Sequence, residues 1–165
     1  MGNVKQCYFD ANNSPSYLPK SYKQRYANFL IKKDDILISM TGTVGKTDYG
    51  NVCMINIDNE YFLNQRVGKF EPNRTKLNNY YLLYISNSDS FKTQLFKNSS
   101  GGIRQANISV SGIESIEIFL PTVDEQLNLV EKIQEEEKAI EECKKLIEIH
   151  KQKINDKIQS IWENK

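Results

Sequence analysis

The sequence predicts an α+β fold: a mixed β-sheet domain with small helices over residues 1–121, then one long C-terminal coiled-coil helix over residues 122–165. Three observations predict it. Ile133, Ile140, Ile147, Ile154 and Ile161 recur at every seventh position, the spacing that keeps one apolar seam on one side of a helix. Before residue 122 the apolar residues come instead in short runs, such as Ile36-Leu37-Ile38 and Val52-Cys53-Met54-Ile55, separated by glycine-bearing loops. The charge also changes sign between the parts, with 14 Lys+Arg against 10 Asp+Glu in residues 1–122 and 8 against 11 in residues 123–165.

The long helix is written plainly. Asp124 to Trp162 is 39 residues without Pro or Gly, a rod of roughly 58 Å at about 1.5 Å per residue. Pro121 ends whatever precedes it, Thr122 or Asp124 can cap the free N–H groups, and Glu125 adds negative charge to the first turn. With the isoleucines at a positions, the d positions Glu136, Cys143, His150 and Lys157 are mostly polar, and Leu129, Leu146, Ile149 and Ile158 widen the stripe unevenly. That seam is too narrow for a symmetric parallel zipper. It asks for an antiparallel mate, from a second copy or another chain, since no second helix of comparable length appears in the sequence; the alternative is a long helix folded back on its own globule.

Composition bounds the class. Hydrophobic content of 39% with nine Tyr and seven Phe suits a folded domain of about 120 residues plus an arm. The basic bias of the first part is compatible with nucleic acid there and protein on the acidic arm. Cys7, Cys53 and Cys143 are odd in number and far apart, fitting neither a disulfide framework nor a zinc cluster. No apolar run approaches a membrane span and no secretory layout opens the chain, so a cytoplasmic, reduced setting is expected.

Taken in order, residues 1–30 are polar and turn-rich, with Tyr17, Tyr22, Tyr26 and Phe29 interleaved with Lys20, Lys23 and Arg25, a mixture suited to phosphates and base faces and equally to a loop packed on a sheet. Ile31 to Met54 reads as two strands flanking the loop Thr41-Gly42-Thr43-Val44-Gly45-Lys46-Thr47. A phosphate-cradling loop needs G-x-x-x-x-G-K-[ST], and here Met40 stands where the first glycine is required. The glycines serve better to bring a tight loop close to something, with Lys46 offered to a phosphate. Leu63-Asn64-Gln65-Arg66-Val67 places amides and an arginine at a strand end, where Asn64 and Gln65 suit backbone capping and Arg66 can reach guanine. Asn79 to Lys97 is an amphipathic helix softened at Asn87 to Ser90. Ser99-Ser100-Gly101-Gly102 opens a second loop in which Arg104 and Gln105 can reach base edges. The alternation in Asn107 to Ser111 and then Ile113, Ile116, Ile118 and Leu120 returns the chain to strand, ending at Pro121.

Catalysis has little to stand on. The single His150 lies on the arm, and adjacent Asp34 and Asp35 point to opposite faces of an extended segment. No catalytic residue, metal ligand set or cofactor is expected, and the Asn13-Ser14-Pro15-Ser16-Tyr17 run lacks the first Pro of the N-P-P-Y site of amino-methyltransferases.

These segments together resemble the specificity subunit of type I restriction-modification systems. The likeness is carried by Lys33-Asp34-Asp35-Ile36-Leu37-Ile38-Ser39 with Thr41 to Lys46, by Leu63-Asn64-Gln65, and by Ser100-Gly101-Gly102 with Ile103 to Ile108. Ile116-Glu117-Ile118-Phe119-Leu120-Pro121-Thr122-Val123-Asp124-Glu125-Gln126 is similar to that family's I-x-I-P-L-P-P-x-x-E-Q junction into a long helix. The resemblance implies a non-catalytic subunit of one DNA target-recognition domain and one helical arm, half of a plan with two of each. Its domains normally begin some tens of residues earlier, so the front is short. It implies double-stranded DNA and the modification (methyltransferase) subunit as partners, with the restriction subunit a further candidate, and an antiparallel homodimer reading a split site. From side-chain chemistry the DNA contacts are expected at Tyr22, Lys23, Arg25, Lys46, Arg66, Arg104 and Gln105, and the dimer or partner interface at Ile133, Ile140, Ile147, Ile154 and Ile161. Against this stands a truncated coiled-coil assembly or regulatory module without independent DNA binding.

Overall fold

The structure, a computed structural model, describes residues 2–46, 48–58, 60–97, 99–101 and 105–163. In chain order it forms α1 (Tyr22–Arg25), a 3-10 turn (Ala27–Phe29), β1 (Leu30–Ile31), β2 (Ile36–Ser39), β3 (Thr41–Thr43), β4 (Val52–Met54), β5 (Tyr61–Phe62) and β6 (Val67–Phe70). There follow α2 (Asn79–Ser86), α3 (Asp89–Lys97), β7 (Ser100–Gly101), β8 (Gln105–Asn107), α4 (Val110–Glu114) and α5 (Val123–Glu163). The chain divides into two compact units, residues 1–123 and 124–165.

Three small sheets build the first unit: β1 with β5, β4-β2-β6, and β3-β8-β7. The α+β expectation holds, but every described pairing is antiparallel, so the sheets are not mixed in direction. Central β2 is buried along its whole length, because Ile36 and Ile38 face one apolar cluster and Leu37 the other. The first cluster adds Val52, Leu82, Leu83, Phe91, Leu95 and Ile108, and the second adds Val4, Ile31, Cys53, Ile55 and Val67. A strand with two buried faces reads as an unbroken apolar run, as Ile-Leu-Ile does.

Two side-chain amides stand in for missing strands. Asn87 accepts from Val52 N–H at 3.3 Å and donates to Val52 C=O at 2.9 Å, satisfying the open edge of β4. That use of Asn87 divides the expected Asn79–Lys97 helix into α2 and α3, with Ser88 accepting from the Phe91 N–H at 3.3 Å. Gln94 likewise donates to Glu117 C=O at 3.0 Å and accepts from its N–H at 3.3 Å.

The expected strand through Ile113, Ile116 and Ile118 does not form. Ser109 caps the Gly112 N–H at 3.0 Å and turns residues 110–114 into α4. The stretch after it runs without a partner strand, held by Gln94 and by the Tyr81 hydroxyl donating to Phe119 C=O at 2.8 Å. Ile113, Ile116 and Ile118 still pack on the first cluster, so their alternation reported burial correctly and pairing wrongly.

In the second unit α5 runs 41 residues, starting at Val123 with Asp124 and Glu125 in its first turn. Gln126 and Val130 are its buried residues, and every described side chain from Glu131 to Trp162 is exposed.

Candidate nucleic-acid interface

The two glycine loops, nearly 60 residues apart in sequence, meet in one sheet. β3 pairs antiparallel with β8 so that Thr41 faces Asn107, Gly42 faces Ala106 and Thr43 faces Gln105. β7 lies on the far side of β8, Ser100 opposite Asn107. A side-chain bond of 3.1 Å from the Thr41 hydroxyl to Asn107 Oδ1 fixes the base of the pair.

The first loop is a preformed tip. Lys46 N–H donates to Thr43 C=O at 3.0 Å, closing a four-residue turn, and Gly45 takes the left-handed φ of +76° that glycine adopts at no steric cost. Asp48 clamps the turn from outside, accepting from the Thr43 N–H and hydroxyl, both at 2.8 Å. Those bonds favour the charged carboxylate, the backbone one most, and hold its pKa below the usual value. Gly42 has no room for a side chain, since a Cβ would lie 2.4 Å from both Asp48 Oδ1 and Tyr49 Cδ1. Tyr49 is buried, its ring edge-on to Phe96 at 5.2 Å. What remains outward is Val44, Gly45 and Lys46, all exposed.

Arg66 reaches the base of the same sheet through the backbone. Its C=O accepts from Met40 N–H at 2.9 Å, and Met40 C=O accepts from Ile108 N–H at 2.9 Å, so Met40 joins residues 66 and 108. Asn64 Oδ1 accepts from the Arg66 N–H at 3.0 Å, the capping role expected of that amide, while Arg66 itself is exposed.

Tyr22, Lys23 and Arg25 lie on α1, all exposed. The Tyr22 and Tyr26 rings stand 5.3 Å apart, Tyr26 and Phe29 6.5 Å, and the Arg25 guanidinium lies 5.4 Å from the Tyr26 ring centre. Lys23 pairs with Glu60, and Leu63 N–H donates to Phe29 C=O at 2.8 Å, so this aromatic group is moored to the segment that leads to Arg66. An exposed ion pair of this kind contributes below about 1 kcal/mol, leaving Lys23 available to a phosphate.

Of the expected contacts, the structure brings Lys46 and the backbone of Gln105 to one sheet and ties Arg66 to its base. Tyr22, Lys23 and Arg25 form a separate group. Arg104 lies outside the described residues. The sequence reading missed Asp48, whose clue was a carboxylate five residues after a threonine across a two-glycine turn, and Val44, an exposed apolar residue at the tip. Among the described residues no three His, Cys, Asp or Glu side chains gather as a metal site, and no helix is long and apolar enough to cross a membrane.

On α5 the isoleucine row is open: Ile133 is 36% exposed, Ile140 and Ile147 53%, Ile154 57% and Ile161 66%.

Comparison with known proteins places these features. The family model "Type I restriction modification DNA specificity domain" matches residues 7–156. The specificity subunit of the type I restriction enzyme MjaVIII from Methanocaldococcus jannaschii is 31% identical over 144 residues, covering 80% of this chain and 33% of that protein. The crystal structure of a type I restriction-modification S subunit from M. genitalium superposes with a TM-score of 0.50 at 22% identity, over 72% of this chain and 29% of that one. The chain thus spans about a third of the length of the curated relative it matches.

Proposed function

The chain belongs to the type I restriction-modification DNA specificity family, and from that premise we propose that residues 1–121 read one half of a bipartite DNA site while the helix of residues 122–165 docks a methyltransferase subunit. The observation that carries the proposal is the joining of both glycine loops on adjacent β3 and β8, beneath an exposed tip that Asp48 holds by two hydrogen bonds to Thr43. A preformed tip loses little entropy on entering a groove, which is what a base-reading loop needs.

In this reading Lys46, Lys23 and Arg25 meet phosphates, Arg66, Arg104 and Gln105 meet base edges, and Tyr22 adds a ring face. The chain contributes no catalytic group; methyl transfer belongs to the modification subunit. The open isoleucine row pairs antiparallel with a second copy, giving two recognition domains about a twofold axis and hence an inverted repeat with a fixed gap. A restriction subunit is a further candidate partner, and the setting is the cytoplasm.

The test is reconstitution with the modification subunit, followed by DNA binding across a salt series and sequencing of methylated bases. A bipartite methylation motif with affinity falling steeply as salt rises supports the reading. Intact assembly with neither salt-sensitive DNA binding nor methylation overturns it in favour of a coiled-coil assembly module.

A further inference from the structure

We propose that Cys7 and Cys53 form a peroxide-sensitive thiol pair, with Lys92 as its positioning cation, which closes into a disulfide within the first unit. The inference stands apart from DNA recognition and from self-pairing.

Residues 4–9 fold into a small hairpin, Val4 bridging to Phe9 and the Lys5 N–H donating to Tyr8 C=O at 3.0 Å. Val4 and Phe9 pack in the second apolar cluster, the one that holds Cys53. Cys7 stands at the hairpin's tip, exposed, and its N–H donates to Val52 C=O at 2.9 Å. Val52 immediately precedes Cys53, which has no exposure. With standard covalent lengths, that bond keeps the two Cα atoms within about 7 Å, the outer limit for a disulfide. One thiol meets solvent and the other is shut off from it.

A cation completes the group. Lys92 belongs to α3, and its amine donates to Gly50 C=O, two residues before Val52. Burial is the main influence on the titration of Lys92, and a Cys7 thiolate acts against it, so the two charges attract. Burial likewise leads for Cys53, with the Cys7 thiolate adding to it, so Cys53 stays neutral. A positive neighbour favours the thiolate, the form that attacks a peroxide. Cys7 is therefore the sulfur that reacts first, and Cys53 the one that resolves it.

The chemistry balances with hydrogen peroxide as the two-electron oxidant. The Cys7 thiolate attacks one peroxide oxygen, the O–O bond breaks, and Cys7 becomes a sulfenic acid while the departing hydroxide takes a proton as water. The Cys53 sulfur then attacks the Cys7 sulfur and the S–O bond breaks. The leaving hydroxide takes the Cys53 proton and departs as a second water, each sulfur having lost one electron. The bridge staples the hairpin to β4, an edge strand, and closes a loop of roughly 45 residues.

The test treats the whole chain, carrying Cys143→Ser so that only the pair can react, with hydrogen peroxide at neutral pH. Thiols titrated after denaturation should fall to none, a non-reducing digest should link the Cys7 and Cys53 peptides, and dithiothreitol should reverse both. Oxidation should raise Tm by roughly 5–10 °C. Cys7→Ser should leave Cys53 unreactive in the folded chain. With Cys53→Ala, dimedone should trap the Cys7 sulfenic acid. Adding Lys92→Met should slow its formation roughly tenfold at neutral pH and less at alkaline pH, where the thiolate forms unaided. A stop at a sulfenic or sulfinic Cys7 with the Cys53 thiol unchanged, or bridges only between chains, overturns the pair. A rate that Lys92→Met leaves unchanged overturns the lysine's part.

Discussion

The two units solve the problem of apolar surface in opposite ways. The first covers its isoleucines and leucines itself: Ile36, Leu37, Ile38 and Leu95 are all at or below 2% exposed. The second leaves a row of five isoleucines at 36–66% exposure. A helix of this length gains little from burial on its own, and most helical stability in proteins comes from packing an apolar stripe. The difference teaches that the first unit carries its own stability, and on the pairing proposed above the arm would draw its own from a partner, so that substitutions should act on folding in one and on association in the other.

The strongest way to break that contrast is to hollow out the core. Leu95 has no exposure and sits between α3 and the sheet cluster, so Leu95→Ala should lower the unfolding free energy by about 3 kcal/mol. Ile154→Ala on the arm should change it by under about 0.5 kcal/mol in the monomer, because alanine suits an exposed helix, while weakening association. Denaturant titration against dilution experiments separates the two. Equal effects of both substitutions on unfolding would erase the distinction.

Next comes Gly50, at the turn between the clamped loop and β4. Its φ of +68° favours glycine, and a Cβ there would lie 2.4 Å from Leu95 Cδ2. Gly50→Ala should cost about 2 kcal/mol by adding backbone strain to overpacking, read as a lower midpoint at unchanged denaturant slope.

Lys92 sharpens the comparison through pH. Burial pushes its ammonium down to about 8 from an ordinary 10.5, and its amine donates to Gly50 C=O inside the first unit. Between those values the unfolded chain holds more protons than the folded one, so stability rises with pH from about 8 to 10.5. Cys53 opposes this above pH 9, because burial raises its thiol to about 12 and the folded chain keeps that proton longer. Comparison with Lys92→Met cancels the thiol: the native chain should gain about 1 kcal/mol relative to the variant from neutral to alkaline pH, after solvent screening of the partly exposed lysine.

Legibility followed the same division. The arm could be read because a heptad row is local, each turn repeating the evidence of the last. The glycine loops were visible as loops, but their meeting was not, since β3, β7 and β8 are two or three residues long and pair across nearly 60 residues of sequence. Short strands carry too little alternation to announce a partner. Asn87 and Gln94 were opaque for a related reason: an amide that replaces a strand looks, in sequence, like any polar helix residue. Ile116 and Ile118 then mimicked a strand while being held by Gln94 and Tyr81.

A small stability effect is expected where the functional effect should be most selective. Asp48 is exposed and bonded to Thr43 twice, so Asp48→Asn should lower stability by under about 1 kcal/mol, the amide oxygen still able to take the Thr43 N–H. Because its folded pKa lies below the ordinary 3.8, the clamp is complete above that value and lost only as pH falls through the lower folded one, so binding near neutrality should not vary with its titration. The substitution loosens the tip and also removes a negative charge beside Lys46. On the reading offered here these act oppositely: affinity for the specific half-site should fall roughly three- to tenfold, as expected for losing pre-organisation, while affinity for unrelated DNA holds or rises. Competition binding at one salt concentration measures both. If both affinities rose together, the tip would be meeting phosphate alone, and base reading would have to move to Arg66 and the β7–β8 loop.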